Sequence, residues 1–506
     1  MFLKKPKVIL STVPWYSLFG ANLTCIPTGL AFVAGALEHL GYSARIINPD
    51  SLTFQGYSQA ESYSNESAYE KNLSDPSYFI WKALEQFLRE NPFDIFGVSV
   101  MITQFPTARV LSQIAKKINP NAVVIWGGIG VTVKPELAFD THDSVVDYVV
   151  RGEGEQTIVN LIKCLEENRP VCNVNGISYV SSNEIIHNPD AEPIRHLDDI
   201  PHPAKHLYTS INGTAKAPPY SYSRLFTSRG CPFQCTYCDS NKLWSRKVRN
   251  QSAEYIVEEI ELLKKHFGVK MIVFDDDTFA LDSKACDHLL DLMIARRLNV
   301  SWRCETRANL VTEKLLTKMK RAGCKSITLG VESGNEETLK KIKKGVTKDQ
   351  IRRAAKLIKQ QGILLNGFFM FGFPWETEQE MKNTLDFIYE LGPNGEVGAV
   401  ISFLIPYPGT KLYNDIVEQG LMPDMPLHLM HHRNRTIKFT RDISQERFNE
   451  LTAEIETSVN KYNRTIRSRL ILKNPAYFLL NLQQRGYLNP ELLISAAFNG
   501  LKRIFR

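Results

Sequence analysis

The sequence contains no run of eighteen apolar residues, so no bilayer-spanning helix is expected, in keeping with a mean hydropathy of −0.21. Its first strand-like run is not followed by G-x-G-x-x-G, which argues against a nicotinamide or flavin dinucleotide. There is no Walker loop, and no serine, histidine and acid set points to an ordinary hydrolase. The opening Met1-Phe2-Leu3-Lys4-Lys5-Pro6 leads straight into a strand-like run and lacks a signal-peptide core. Cysteine is scarce, nine in 506 residues, too few for a disulfide scaffold; a reducing, cytoplasmic setting is expected. Excess charge is missing from most of the chain. From Lys461 onward nine Lys and Arg face one acid, Glu491, which accounts for the whole formal excess of +7. A protein that coats nucleic acid would spread that charge, so no nucleic-acid partner is expected.

What is present centres on Arg229-Gly230-Cys231-Pro232-Phe233-Gln234-Cys235-Thr236-Tyr237-Cys238. Three thiolates on one short loop, Cys231, Cys235 and Cys238, can hold three corners of a four-iron four-sulfur cluster and leave one iron open. Gly230 and Pro232 permit a sharp loop, Arg229 offsets thiolate charge, and Tyr237 sets an aromatic face beside the open corner. A zinc knuckle would want a second cysteine pair. The remaining cysteines are scattered singly in apolar or helical surroundings, as small buried hydrophobes are. The spacing, with an aromatic before the last cysteine, resembles the radical S-adenosylmethionine (radical SAM) superfamily. That resemblance implies that the open iron binds the methionine amine and carboxylate, and that an electron splits the sulfonium to give a 5′-deoxyadenosyl radical.

An α/β fold is expected around this loop. Residues 1–170 read as a doubly wound, Rossmann-like parallel sheet, with strands at Val8–Val13, Ser43–Asn48, Ile95–Val100, Ala122–Trp126 and Tyr148–Val150. Helical spacing separates them at Pro27–Leu40, Tyr78–Arg89, Pro106–Ile118 and Glu155–Leu165. Ligands of such sheets sit at the carboxyl ends of the strands. There the chain places Ser99 and Met101, then Gly127 and Gly128, then Glu153 within Gly152-Glu153-Gly154-Glu155. The order of these features resembles the cobalamin-binding domain that precedes many radical SAM enzymes, which implies that these residues contact cobalamin. The Asp-x-His-x-x-Gly loop of methionine-synthase-type domains is absent, so no histidine is expected as lower cobalt ligand; His39 reads as a surface helix residue. Residues 171–220 read as a connector with a hairpin around Ser181-Ser182-Asn183.

Residues 221–420 repeat strand and helix six times, which predicts a (β/α)6 partial barrel with its chemistry at the strand ends. Asp275-Asp276-Asp277-Thr278 closes the second strand and Gly330-Val331-Glu332-Ser333-Gly334 the fourth. The acids either cap the next helix or, as the resemblance implies, Asp276 and Asp277 take the ammonium of S-adenosylmethionine. Glu332 and Ser333 then contact its ribose or methionine carboxylate. Arg303, Glu305 and Arg307 follow the third strand.

Residues 421–506 read as a helical region with a basic tail. His428, His431 and His432 share a face if helical, yet no acid or cysteine completes a metal site, so solvated or substrate-facing groups are expected. The tail reads as a helical lid on the barrel mouth, with peripheral contact to an anionic membrane as the alternative.

The family resemblance implies a cobalamin-dependent radical SAM enzyme, foremost a methyltransferase acting on an unactivated carbon. Its small-molecule substrate would be a lipid, pigment or natural-product intermediate, and its reductant a flavodoxin or ferredoxin. A cyclase or rearranging enzyme of the same architecture is the alternative. A methylthiotransferase would need a second cysteine triad in residues 1–170. A non-catalytic cluster or cobalamin sensor would not need the sulfonium-binding acids.

Overall fold

The computed structural model describes residues 5–480 apart from 20–24, 52–65, 140–144, 212–216, 394, 432–433, 435, 474 and 477–478. Its first sheet is built from β1 (Lys7–Thr12), β2 (Ser43–Ile47), β3 (Ile95–Ser99), β4 (Val123–Gly127) and β5 (Tyr148–Val150). These pair in parallel in the order β2-β1-β3-β4-β5. Strand alternation sorts the side chains to two faces. Val8 and Leu10 of β1 meet Leu30, Ala34, Leu161 and Ile162 on one face, while Ile9 meets Ile80, Leu84 and Leu111 on the other. Helices therefore cover both faces, which is why the strands are continuous apolar runs. Strand order reverses between β1 and β3, and a ligand crevice opens at such a point.

The connector adds the hairpin β6 (Ile177–Ser181) and β7 (Glu184–His187), which pairs antiparallel with β5 and extends this sheet. Its turn residues Ser182 and Asn183 have φ of 51° and 64°, the left-handed pair that a tight hairpin requires. Further on, Lys205 is buried with its Nζ 2.9 Å from Glu259 and donates to the Tyr222 and Arg224 carbonyls. The connector is thereby fastened to the start of the second sheet.

That sheet opens with β8 (Arg224–Leu225). The strands β9 (Ser228–Arg229) and β10 (Arg249–Asn250) form a small antiparallel ribbon beside the cysteine loop. Then follow β11 (Met271–Phe274), β12 (Ser301–Thr306), β13 (Cys324–Glu332), β14 (Leu364–Phe371) and β15 (Val397–Phe403). All pair in parallel in sequential order from β8 to β15, as a partial barrel does. Side-chain caps start its helices; Thr347 with Gln350 and Thr377 with Glu380 form reciprocal capping boxes.

Two expectations need correction. The apolar pattern of Ser223–Thr227 predicts a first barrel strand over those residues, but the strand stops at Leu225, because the Asp276 carboxylate captures the backbone N–H groups of Thr227 and Ser228. Among the described residues the histidine cluster does not form a helical face: a 3-10 turn, Leu427–Leu429, stands there. His431 is buried edge-on against Trp15 and Phe19, and His428 stacks on Tyr69. The aromatic groups of the N-terminal region have drawn these rings out of solvent. His432 lies outside the described residues, as does most of the basic tail.

The helix Gln445–Lys473 packs Phe448, Leu451 and Ile455 into the barrel core. No helix among the described residues is long and apolar enough to cross a membrane.

Candidate active site

The cysteine loop is held at both ends and in the middle. Gly230 has φ of 96°, and a Cβ there would lie 2.3 Å from the Lys247 carbonyl oxygen. Only glycine fits this entry to the loop. Thr236 donates its N–H to Ile342 and accepts from that of Leu412. Cys231 and Cys235 are half-buried and Cys238 is exposed. Among the described residues no three His, Cys, Asp or Glu side chains gather tightly enough to hold a single ion.

Around the loop stand side chains from the barrel strand ends. Glu332 ends β13 at an irregularity in its pairing and has φ of 68°. This bulge turns its carboxylate toward Lys344, whose Nζ lies 2.5 Å from Glu332 Oε1 and 3.2 Å from the Tyr237 hydroxyl. Tyr237 is thus tied to the barrel through Lys344. Arg307, just past β12, reaches the same place: Nη1 lies 3.7 Å from Cys235 Sγ and Nη2 donates to the Lys344 carbonyl.

The three aspartates separate into different tasks. Asp275 pairs with Arg224 at 2.5 Å, and Asp277, the most exposed of them, accepts from the Ser240 hydroxyl. Asp276 is buried, and its Oδ1 accepts from the backbone N–H and hydroxyl of both Thr227 and Ser228. Burial pushes its carboxyl up to about 6. Through Oδ1 Asp276 positions the strand leading into the cysteine loop, while its Oδ2 is buried without a hydrogen-bond partner. Ser333 departs from the sequence expectation. It is fully buried and its hydroxyl serves Thr384 and Asn335 inside the barrel wall. Asp277 is thus the exposed one of the three aspartates, and Glu332 stands with Lys344 beside Tyr237.

On the N-terminal side, Ser99, Met101, Gly127, Gly128 and Glu153 line one cavity of about 310 Å³ at the carboxyl ends of the strands. Leu10, Leu30, Val98 and Ile125 give it apolar walls. At Gly127 a Cβ would meet nothing nearer than 3.8 Å, so the absent side chain leaves room in the cavity itself. This slot fits a bulky ligand with an apolar surface better than a small polar one. No histidine among the described residues lines it.

Trp244, six residues after Cys238, forms part of the same cavity wall. At that wall four buried charges join the end of the N-terminal sheet to the ribbon beside the cysteine loop. Arg229 Nη1 is 3.1 Å from Glu153 and Nη2 is 2.5 Å from Glu155, while Arg249 pairs with Glu153 as well. The Arg229 guanidinium also lies over the rings of Phe32 and Trp244. Glu153 was expected to touch cobalamin; its carboxylate is committed to these arginines. Glu155, Arg249, Lys344 and Trp244 had no role in the sequence reading. The carboxylate partner of Arg249 and the arginine partner of Glu155 lie far away in the chain, and no local spacing announces them.

Family models match this chain twice: the B12 binding domain over residues 20–162 and the radical SAM superfamily over residues 225–388. An uncharacterized methyltransferase of Pyrococcus horikoshii is 34% identical over 332 residues, 66% of this chain and 71% of that protein. The chain belongs to the cobalamin-binding radical SAM superfamily. This radical SAM enzyme accordingly uses a four-iron four-sulfur cluster, S-adenosylmethionine and cobalamin. An anaerobic magnesium-protoporphyrin IX monomethyl ester cyclase of Rubrivivax gelatinosus is 28% identical over 403 residues, 77% of this chain and 66% of that protein. The fold is shared with the radical S-adenosylmethionine methyltransferase TsrM of Kitasatospora setae, with TM-score 0.66, 17% identity and 89% of each chain covered.

Proposed function

We propose that this enzyme transfers a methyl group to an unactivated carbon of a small-molecule substrate. When bound, the cluster supplies the electron that cleaves S-adenosylmethionine, and cobalamin supplies a methyl carrier. The observation that carries the reading is the shared wall: Trp244 and the Arg229–Glu153–Glu155 lock make the cysteine loop and the cobalamin slot one rigid unit. Holding reactive centres at a constant separation is the part of such chemistry that a protein supplies. Cys231, Cys235 and Cys238 would hold the cluster. Glu332 and Asp277 would orient S-adenosylmethionine, and Ser99, Met101, Gly127 and Gly128 would border cobalamin. The methyltransferase relative supports methyl transfer, and the cyclase relative supports ring formation on the same architecture.

A lipid, pigment or natural-product intermediate is the substrate class we propose, with flavodoxin or ferredoxin as reductant. Comparison of metabolites from cells with and without the protein would supply candidates. Reconstituted enzyme with methyl-deuterated S-adenosylmethionine then decides the reaction. Methyl transfer yields a product carrying the deuterated methyl, with S-adenosylhomocysteine and 5′-deoxyadenosine both released. A product without label, and 5′-deoxyadenosine without S-adenosylhomocysteine, would establish the cyclase reading. No turnover of S-adenosylmethionine would leave a sensor.

A further inference from the structure

Arg307 is a buried cation, 4% exposed. The other buried cations near the site each face a carboxylate: Arg229 and Arg249 face Glu153, Lys205 faces Glu259, and Lys344 faces Glu332. Arg307 faces none among the described residues. Its contacts are the Cys235 sulfur at 3.7 Å, the Lys344 carbonyl, and the Phe233 ring, whose centroid lies 3.6 Å from the guanidinium carbon. A buried charge without a counter-ion is strongly destabilising. Here the missing negative charge has an evident source, since the guanidinium lies against the loop that carries three thiols.

We infer that Arg307 is the counter-ion of the iron–sulfur cluster and the hydrogen-bond donor to its Cys235 sulfur. This rests on the assignment of Cys231, Cys235 and Cys238 as cluster ligands. Three thiolates outweigh the positive charge of an oxidised four-iron core, and one-electron reduction adds a further negative charge. A guanidinium held at the sulfur favours that reduced state, because hydrogen bonds and net charge set cluster potentials. Lys344 is already neutralised by Glu332 and does not duplicate the effect. Arg307 is thus a positioning and tuning residue.

The test uses full-length wild-type, Arg307→Lys and Arg307→Gln proteins, reconstituted anaerobically and analysed for iron and sulfide. Potentiometric titration followed by electron paramagnetic resonance, without S-adenosylmethionine, then reads the midpoint. Arg307→Gln should make reduction about tenfold less favourable, a midpoint about 59 mV more negative for one electron, while Arg307→Lys keeps most of the wild-type value. Loss of the cluster in Arg307→Gln with retention in Arg307→Lys would also support the inference; loss in both would overturn the charge argument. Equal midpoints for wild type and Arg307→Gln at equal iron content would overturn it. So would weaker S-adenosylmethionine binding with an unmoved midpoint, which would make Arg307 a ligand for that molecule. A wild type that binds no iron would instead defeat the cluster assignment beneath it.

Discussion

The two sheets prepare for their cofactors in opposite ways. The N-terminal sheet makes its site by omission: Gly127 and Gly128 end β4, apolar side chains line the walls, and the slot is what remains. The barrel makes its site by addition: Lys344, Glu332, Tyr237 and Arg307 form a connected polar set around the cysteine loop. A ligand in the first is selected by shape and apolar contact. A ligand in the second is selected by charge and hydrogen bonds, which are worth more where water is excluded. Perturbing each side should therefore fail differently.

The largest effect belongs to the barrel. Replacing any one of Cys231, Cys235 and Cys238 with alanine should abolish reductive cleavage of S-adenosylmethionine, measured as 5′-deoxyadenosine, while corrinoid binding to the first sheet persists. Wild-type yields from the triple variant would refute the cluster site. The counterpart on the other side is Gly127→Val. Its Cβ meets no protein atom closer than 3.8 Å, so the fold should survive while the slot is filled. Corrinoid retention after gel filtration should fall by at least about tenfold, an energy of about 1.4 kcal/mol, with iron content unchanged. Gly128 is a poorer probe, because φ of 97° strains any substitute whatever the space.

A smaller but shared effect sits at the lock between the N-terminal sheet and the ribbon beside the cysteine loop. Glu155→Gln removes one of two carboxylates from buried Arg229. Breaking a buried ion pair from one side costs on the order of 3–5 kcal/mol, and the remaining Glu153 should hold the loss toward the lower end. Thermal unfolding reads this directly. Unlike Gly127→Val, this variant should reduce both corrinoid and iron retention, because Arg229 and Trp244 belong to both sites. Loss of one cofactor alone would show that the lock does not join them.

The sequence and the structure agree wherever the signal is local. Five N-terminal strands, six barrel strands and the hairpin turn at Ser182-Asn183 all follow from alternation, helical spacing and turn chemistry within a few residues. The cysteine loop is equally local. The failures are matters of direction and distance. Asp276 is held by the N–H groups and hydroxyls of Thr227 and Ser228, far earlier in the chain, which no local pattern announces. Ser333 follows a bulge that cancels simple alternation. Glu155 meets Arg229, and Arg249 meets Glu153, across long stretches of chain that no spacing could join. Lys344 reads as one of a run of surface lysines until Glu332 is seen beside it.

The two regions do share one device, and it gives the finest prediction. Each buries an acid that clamps a turn by accepting two backbone N–H bonds. In the first sheet Asp50 accepts from Tyr16 at 3.1 Å and Ser17 at 2.7 Å. In the barrel Glu376 accepts from Gly372 at 2.9 Å and Phe373 at 3.1 Å. Burial outweighs these bonds and pushes Asp50 up to about 7 and Glu376 up to about 8. In the unfolded chain both titrate near their ordinary values, so between roughly pH 4.5 and 8 the folded state binds more protons. Stability must then fall as pH rises through that window, the reverse of a salt-bridged carboxylate. Glu376→Gln keeps an oxygen for both N–H groups but carries no charge. Relative to wild type it should gain stability with pH, on the order of 1–3 kcal/mol between pH 5 and 8. Asp50→Asn should behave likewise but level off about a pH unit sooner. Urea unfolding at several pH values measures both, and parallel profiles for wild type and Glu376→Gln would show that the carboxylate is charged in its clamp.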